Sequence, residues 1–317
     1  MSNALPLSIT SQLELPVIIS PMFLVSSIEM VIEGCKAGVI GSFPLANART
    51  IGDLEYWMER ITNGLAAAKT QEPTKKIAPW AVNLIVHRTN ARLETELDLI
   101  KKYQPPIVIT SLGNPSHAVK HVHEYGGLVF TDVVNLVHAR KAAERGADGL
   151  ILVCNGAGGH AGTYNPFAFI HAVKEFWNGV TILAGGISSG RDMLAAKILG
   201  ADLTYMGTRF LAAKESLASR DYRKILIESN AEDIISTDVF SGVHANYLIP
   251  SLRRVGIDPT RLPTKESFNL SKANTNGLKA WKDIWSAGHG VGAIKKEETV
   301  AEIINQLKQE YIDLSTK

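Results

Sequence analysis

GLILVCNGAGGHAG, residues 149–162, passes from an unbroken apolar run into a stretch where four glycines surround one histidine, His160. Near-continuous hydrophobicity over so short a run marks a strand buried on both faces, as in a parallel sheet covered by helices. Glycine loses more entropy on ordering than any other residue. A cluster of glycines after a buried strand therefore indicates that something large and flat packs against that backbone.

Seven further runs repeat the apolar half of this pattern: PVIISPM from Pro16, VIGSF from Val39, PWAVNLIV from Pro79, PIVITSL from Pro106, LVFTDV from Leu128, VTILAGGI from Val180 and LTYMGTRFL from Leu203. Each is followed by a stretch with apolar residues at helical spacing. NLVHARKAAER, 135–145, is one such helix, and Gly146 closes it. Eight strand–helix units predict an α/β fold, a (β/α)8 TIM barrel, and 317 residues accommodate one barrel of about 250 residues with an addition. Past Ala213 the strand rhythm fails and charged and polar residues increase. The expected division is a barrel over 1–213, a smaller, mostly helical substrate-covering region over 214–286, and a segment over 287–317 that returns to the barrel with an amphipathic helix at 296–314.

Composition narrows the function classes. With 45% hydrophobic and 20% charged residues the chain is a folded globular protein rather than a disordered one. The 33 basic and 31 acidic residues leave a formal charge of only +2, so no global field draws it to nucleic acid or an anionic membrane. Its five tryptophans form no stripe interleaved with basic residues. Two cysteines, Cys35 and Cys154, cannot build a disulfide framework or a four-ligand zinc site. The first twelve residues lack a signal-peptide pattern, and no uncharged apolar stretch reaches the ~18 residues of a membrane span, so a cytoplasmic location is expected.

In a barrel of this kind the active site lies at the carboxyl ends of the strands. There the sequence places Pro21 and Met22, Asn83, Ser111, the Asn155–His160 loop, Gly185 and Gly186, and Gly207 and Thr208. Paired glycines at 185–186 allow close backbone approach, and Ser188 to Asp192 opens a helix whose amino terminus favours an anion. With Gly207 and Thr208 they make a phosphate corner between the last two strands. Each loop alone also serves as a tight turn or cap, and only their joint placement favours phosphate. His160, with an unperturbed pKa of about 6.5, suits general acid/base work or hydrogen-bond donation. His117 and His121 stand at i, i+4 on one helix, without the carboxylates or cysteines of a metal motif, and no metal is expected.

The segments PVIISPM (16–22), WAVNL (80–84), ADGLILVCNGAGGHAG (147–162), ILAGGISSG (182–190), ADLTYMGTRFLAAKES (201–216) and WSAGHG (285–290) resemble, in order and spacing, the FMN-dependent nitronate monooxygenases, also called 2-nitropropane dioxygenases. The resemblance covers nearly the whole chain. It implies a flavoprotein oxidoreductase that oxidises alkyl nitronates and nitroalkanes with molecular oxygen, with His160 as the active-site histidine. It implies FMN held by Pro21, Met22, Asn83, Asn155, Gly158, Gly159, Gly185, Gly186, Gly207 and Thr208, and it places His244 and His289 toward substrate. Three positions depart from the family pattern. Asn155 and its compact loop replace a glutamine and a longer loop, Asp132 stands where several relatives carry a lysine, and His289 stands where a glutamine is common. Similar glycine–histidine loops occur in flavin-dependent enoyl-acyl-carrier-protein reductases and NADH:quinone reductases, so an NAD(P)H-dependent reductase is the alternative. A barrel that binds a phosphorylated metabolite without redox chemistry is the alternative from another class. Oligomeric state is not written in the sequence.

Overall fold

The computed structural model describes residues 4–262 and 280–315. Its strands are β1 (Val17–Ile19), β2 (Gly41–Pro44), β3 (Trp80–Ile85), β4 (Ile107–Ser111), β5 (Leu128–Val133), β6 (Gly149–Val153), β7 (Gly159–His160), β8 (Val180–Ala184), β9 (Leu203–Met206), β10 (Ile234–Thr237) and β11 (Ala245–Leu248). All but β7, β10 and β11 form one parallel sheet, ordered β1-β9-β8-β6-β5-β4-β3-β2. The sheet curls until its ends meet. The Ile19 amide donates to the Ile40 carbonyl at 2.8 Å and the Ile40 amide donates to the Val17 carbonyl at 3.0 Å, next to β2. The eight apolar runs are thus the eight staves of a (β/α)8 barrel.

Both faces of the staves are apolar because both are buried. Ile18, Ala81, Ile109, Phe130, Ile151 and Ile182 fill the interior. Val17, Ile19, Leu150, Leu152 and Leu183 face outward into a second core shared with helices. Gly149, which opens the decisive stretch, leaves room for the ring of Phe130: a Cβ there would lie 2.5 Å from it.

Helices α1 (Leu7–Thr10), α2 (Ile28–Lys36), α3 (Ile51–Gln71), α4 (Leu93–Tyr103), α5 (Ser116–His123), α6 (Leu136–Glu144), α7 (Pro166–Lys174) and α8 (Gly190–Ile198) accompany the barrel strands. The helix expected over 135–145 is α6. The Asn135 side chain accepts from the His138 amide as its cap, and Gly146, at φ 84°, lets the chain leave it. Next come α9 (Arg220–Glu228), α10 (Ile249–Arg254) and α11 (Val300–Ser315). Helix α11 packs on α8 and α2 and takes the place of the helix that should follow β9. Lys308 on it pairs with Glu14 at 2.6 Å, and Glu310 accepts from the Gly190 amide at 2.8 Å.

The segment after Ala213 therefore sits as an insertion between the last barrel strand and α11, its helix. Besides α9 and α10 it contains β10 and β11, which the sequence reading had not separated from helix. Strand β11 pairs antiparallel with β10 on one edge and with β7 on the other, with Ala245 opposite His160 and Asn246 opposite Gly159. Four-residue strands carry too little alternation to be read from periodicity, and these draw their stability from pairing with the barrel loop. Residues 263–279 of the covering region lie outside the described residues. Among the described residues no helix is long and apolar enough to cross a membrane.

Candidate active site

One cavity of about 1020 Å³ opens at the carboxyl ends of the strands. That is the upper end of the size range of small-molecule and cofactor sites. Of the residues the sequence singled out, the cavity is lined by Pro21, Met22, Asn83, Ser111, Gly158, Gly159, His160, Gly185, Gly186, Gly207 and Thr208. Asn155, His244 and His289 do not line it. Asn155 is exposed, and its amide donates to the Tyr164 carbonyl at 3.1 Å. His244 is exposed too, contributing its carbonyl to the Ala161 amide at 3.1 Å. His289 lines a separate shallow pocket with Asp192, Asn230 and Glu232.

The turn after β1 is held by a residue the sequence reading missed. Asn47 accepts from the Leu24 amide at 2.8 Å and donates to the carbonyls of Met22, at 3.2 Å, and Ser26, at 2.9 Å. This clamp holds Leu24 at φ 62°, an unfavourable region for leucine, and so fixes Met22 toward the cavity. Asn83, within β3, donates to the Ile109 carbonyl at 3.2 Å and to Ser111 Oγ at 3.1 Å.

The glycine–histidine loop is packed backbone to backbone against residues 286–289. The Gly288 amide donates to Thr208 Oγ1 at 2.9 Å, the His289 amide to the Gly156 carbonyl at 3.0 Å, and the Gly159 amide to Ser286 Oγ at 2.9 Å. A Cβ on Gly158 would lie 2.8 Å from the Gly288 amide nitrogen. Part of the glycine content thus answers a close approach of backbone rather than of ligand. Asn246, fully buried in β11, donates to the carbonyls of Asn155 at 2.8 Å and Ala157 at 2.7 Å and so sets the curvature of the loop. A polar residue inside the short apolar run ANYL was the signal that could have found it.

His160 stands at the cavity wall on β7. Its ring meets Trp281 edge to face at 5.3 Å, and Trp281 in turn stacks on Tyr247 at 5.3 Å. Its Nε2 is buried without a hydrogen-bond partner. Burial pushes its pKa below the ordinary 6.5, so the imidazole is neutral near pH 7. Asp132, at the end of β5, also lines the cavity, and burial pushes its carboxyl up to about 7. His117 and His123 face Glu94 and Asp148, at 3.1 and 2.8 Å, on the outside of the barrel.

The phosphate corner differs in one respect from the sequence reading. The amino terminus of α8 is already satisfied: Asp192 accepts from the Ser188 and Ser189 amides, each at 2.9 Å, and Glu310 takes the Gly190 amide. Those carboxylates cancel the attraction for an anion that a bare helix end provides. What remains is the turn at Gly185 and Gly186, with φ of 112° and 74°, where a Cβ on Gly186 would meet nothing within 4 Å. Ser188 Oγ, buried and without a hydrogen-bond partner, stands beside it, and Thr208 Oγ1 accepts from the Gly288 amide. An unpartnered buried hydroxyl next to an open glycine turn fits a ligand's phosphate, and the apolar Pro21–Met22 wall with the Asn83 amide fits a planar polar ring. The residues present suit a flavin.

A family model described as nitronate monooxygenase matches residues 12–310 of the chain. The nitronate monooxygenase of Neurospora crassa is 26% identical over 338 aligned positions, covering 93% of this chain and 89% of that protein. Among solved structures, FabK from Thermotoga maritima superposes with a TM-score of 0.79 at 23% identity over 98% of both chains. The nitroalkane oxidase from Streptomyces ansochromogenes gives 0.77 at 22% identity, covering 97% of this chain and 98% of that one. At these identities the structural likeness carries the barrel fold alone.

Proposed function

The chain belongs to the nitronate monooxygenase family and is a flavin-dependent oxidoreductase; from that premise we propose that it holds FMN and oxidises alkyl nitronates and nitroalkanes with molecular oxygen, His160 acting at the substrate. The observation that carries this reading is the buried, unpartnered Nε2 of His160 on the wall of the cavity. A neutral imidazole there accepts the α-proton of a nitroalkane, or as an N–H tautomer donates to the oxygens of a nitronate. Pro21 and Met22 would lie against the ring and Asn83 would hydrogen-bond to it. Gly185, Gly186, Ser188, Gly207 and Thr208 would take the phosphate. Bound there, the flavin supplies the electron acceptor that this oxidation requires. The covering region 214–286 would act as a lid that excludes water, since β11 is paired to the same β7 that carries His160.

One observation favours a second reading, an NAD(P)H-dependent reductase. Arg49, Lys141 and Arg145 line the cavity, and none has an ion-pair partner among the described residues, an arrangement that suits an anionic cosubstrate. Anaerobic mixing separates the two. Bleaching of the flavin by ethyl nitronate, with oxygen uptake in air, supports nitronate oxidation. Rapid bleaching by NADH or NADPH with no response to nitronate overturns it in favour of the reductase.

A further inference from the structure

Asp132 is a half-buried acid whose Oδ1 finds no hydrogen-bond partner in the protein. It lines the cavity from the end of β5, and that oxygen is itself buried. No arginine, lysine or histidine pairs with it among the described residues. Burial alone raises its pKa, to about 7; Tyr205, which reaches the same cavity from β9, has its phenol pushed upward mainly by burial and secondarily by the charge of Asp132. Asn83 from β3 and Ser111 from β4, also on the cavity, are neutral and already bonded to one another. The remaining ionisable groups on the cavity are Arg49 from the loop before α3, His138, Lys141 and Arg145 on or beside α6, His160 on β7, and Tyr222 on α9. An ionised carboxylate left unpaired in such a place is disfavoured, so the group is neutral over the acid half of the physiological range. A neutral carboxyl carries an O–H, and a donor with no acceptor in the protein is built for one on a ligand.

We infer that Asp132 is a positioning residue for the bound flavin, donating its carboxyl proton to an acceptor atom of the ring system, so that cofactor affinity is set by whether this one side chain is protonated. The inference rests on the flavin reading above and adds to it a residue and a direction. Since the protonated form is the binding form, affinity is full below pH 7 and falls as pH rises through it. The fraction of competent protein drops about tenfold between pH 6 and pH 8 for a group titrating near 7, and apparent affinity drops with it.

The test is FMN binding by apoprotein, followed through the visible spectrum and fluorescence quenching, at pH 6, 7 and 8. The phosphate of FMN has its own second ionisation near 6, which an Asp132→Asn variant subtracts because its amide donates at every pH. The expected result is an FMN Kd that weakens about tenfold from pH 6 to 8 in the wild type and much less in Asp132→Asn, with Asp132→Ser weak throughout. Equal pH dependence in wild type and Asp132→Asn overturns the inference while leaving the flavin reading intact. Apoprotein that takes up no flavin at any pH overturns both. Should Asp132→Asn fold poorly, riboflavin, which lacks the phosphate, gives the same answer in the wild type alone: weakening from pH 6 to 8 supports Asp132, and a constant Kd overturns it.

Discussion

His160 couples two facts that pull in one direction. Desolvation lowers its pKa, and the missing partner on Nε2 leaves the basic nitrogen free for substrate. With a nitroalkane, whose α-proton must be removed, the neutral form is the active one. The rate should therefore hold level at neutral pH and fall as pH drops through the folded-state pKa, which lies below 6.5. Replacing His160 with Asn removes that base while keeping the ring of Trp281 company with a similarly sized amide. We expect nitroalkane turnover to drop about 10²-fold or more and the acid limb of the pH profile to vanish, with the flavin retained. Steady-state oxygen uptake between pH 5 and 8 measures both. A variant with unchanged turnover would make His160 a structural residue of the β7 edge.

At the scale of elements, the loop 155–160 shows how one glycine pattern answers two demands. Gly185 and Gly186 both adopt positive φ and Gly186 faces open space, as a ligand turn should, whereas Gly158 and Gly288 have their neighbours' backbone pressed against them. A Cβ on Gly288 would lie 2.4 Å from the Gly156 carbonyl oxygen, and because that atom is backbone no rotamer change relieves it. Gly288 has an ordinary φ of −91°, so the cost of Gly288→Ala is crowding alone, about 1–3 kcal/mol. The expected outcome is a thermal midpoint lower by a few degrees and a reduced flavin-to-protein ratio after purification. Gly52→Ala on the face of α3, with only a hydroxyl 3.9 Å away, should leave both unchanged or slightly improved. This distinction was not legible in the sequence, where both kinds of glycine look alike. The strands were legible because burial on both faces makes each stave uniformly apolar, and the cavity placement of Pro21, Asn83, Gly185 and Thr208 was legible because a barrel opens its cavity at the strand ends. Asn47, Asn246 and Trp281 were not, since they act from loops or from the inserted region and reach the site only through tertiary contacts. Asp192 also misled: as a capping residue it consumes the helix amides that seemed reserved for an anion.

The molecule as a whole is a barrel whose eighth unit is split by an inserted segment, and its integrity depends on how α11 is tied back. Arg209, in the turn directly after Thr208, is 4% exposed and donates from Nη2 to Glu298 at 2.9 Å and to Gln306 at 2.7 Å. One guanidinium thus joins the cavity end of β9 to the returning tail across the whole inserted segment. A buried pair of this kind contributes little net stability, because desolvation offsets the Coulombic attraction, but breaking it strands a charge. Glu298→Ala should therefore cost about 3–5 kcal/mol, seen as a marked fall in the thermal midpoint of both apo and flavin-bound protein. Arg209→Met combined with Glu298→Met removes both charges together and should recover most of that loss. Because Thr208 holds Gly288 and through it the glycine–histidine loop, the single variant should also release flavin more readily and the double variant less so. Thermal melts of the wild type, Glu298→Ala and the double variant, with and without added FMN, test both expectations. If Glu298→Ala melts like the wild type, α11 is a passive cover rather than the closing member of the barrel.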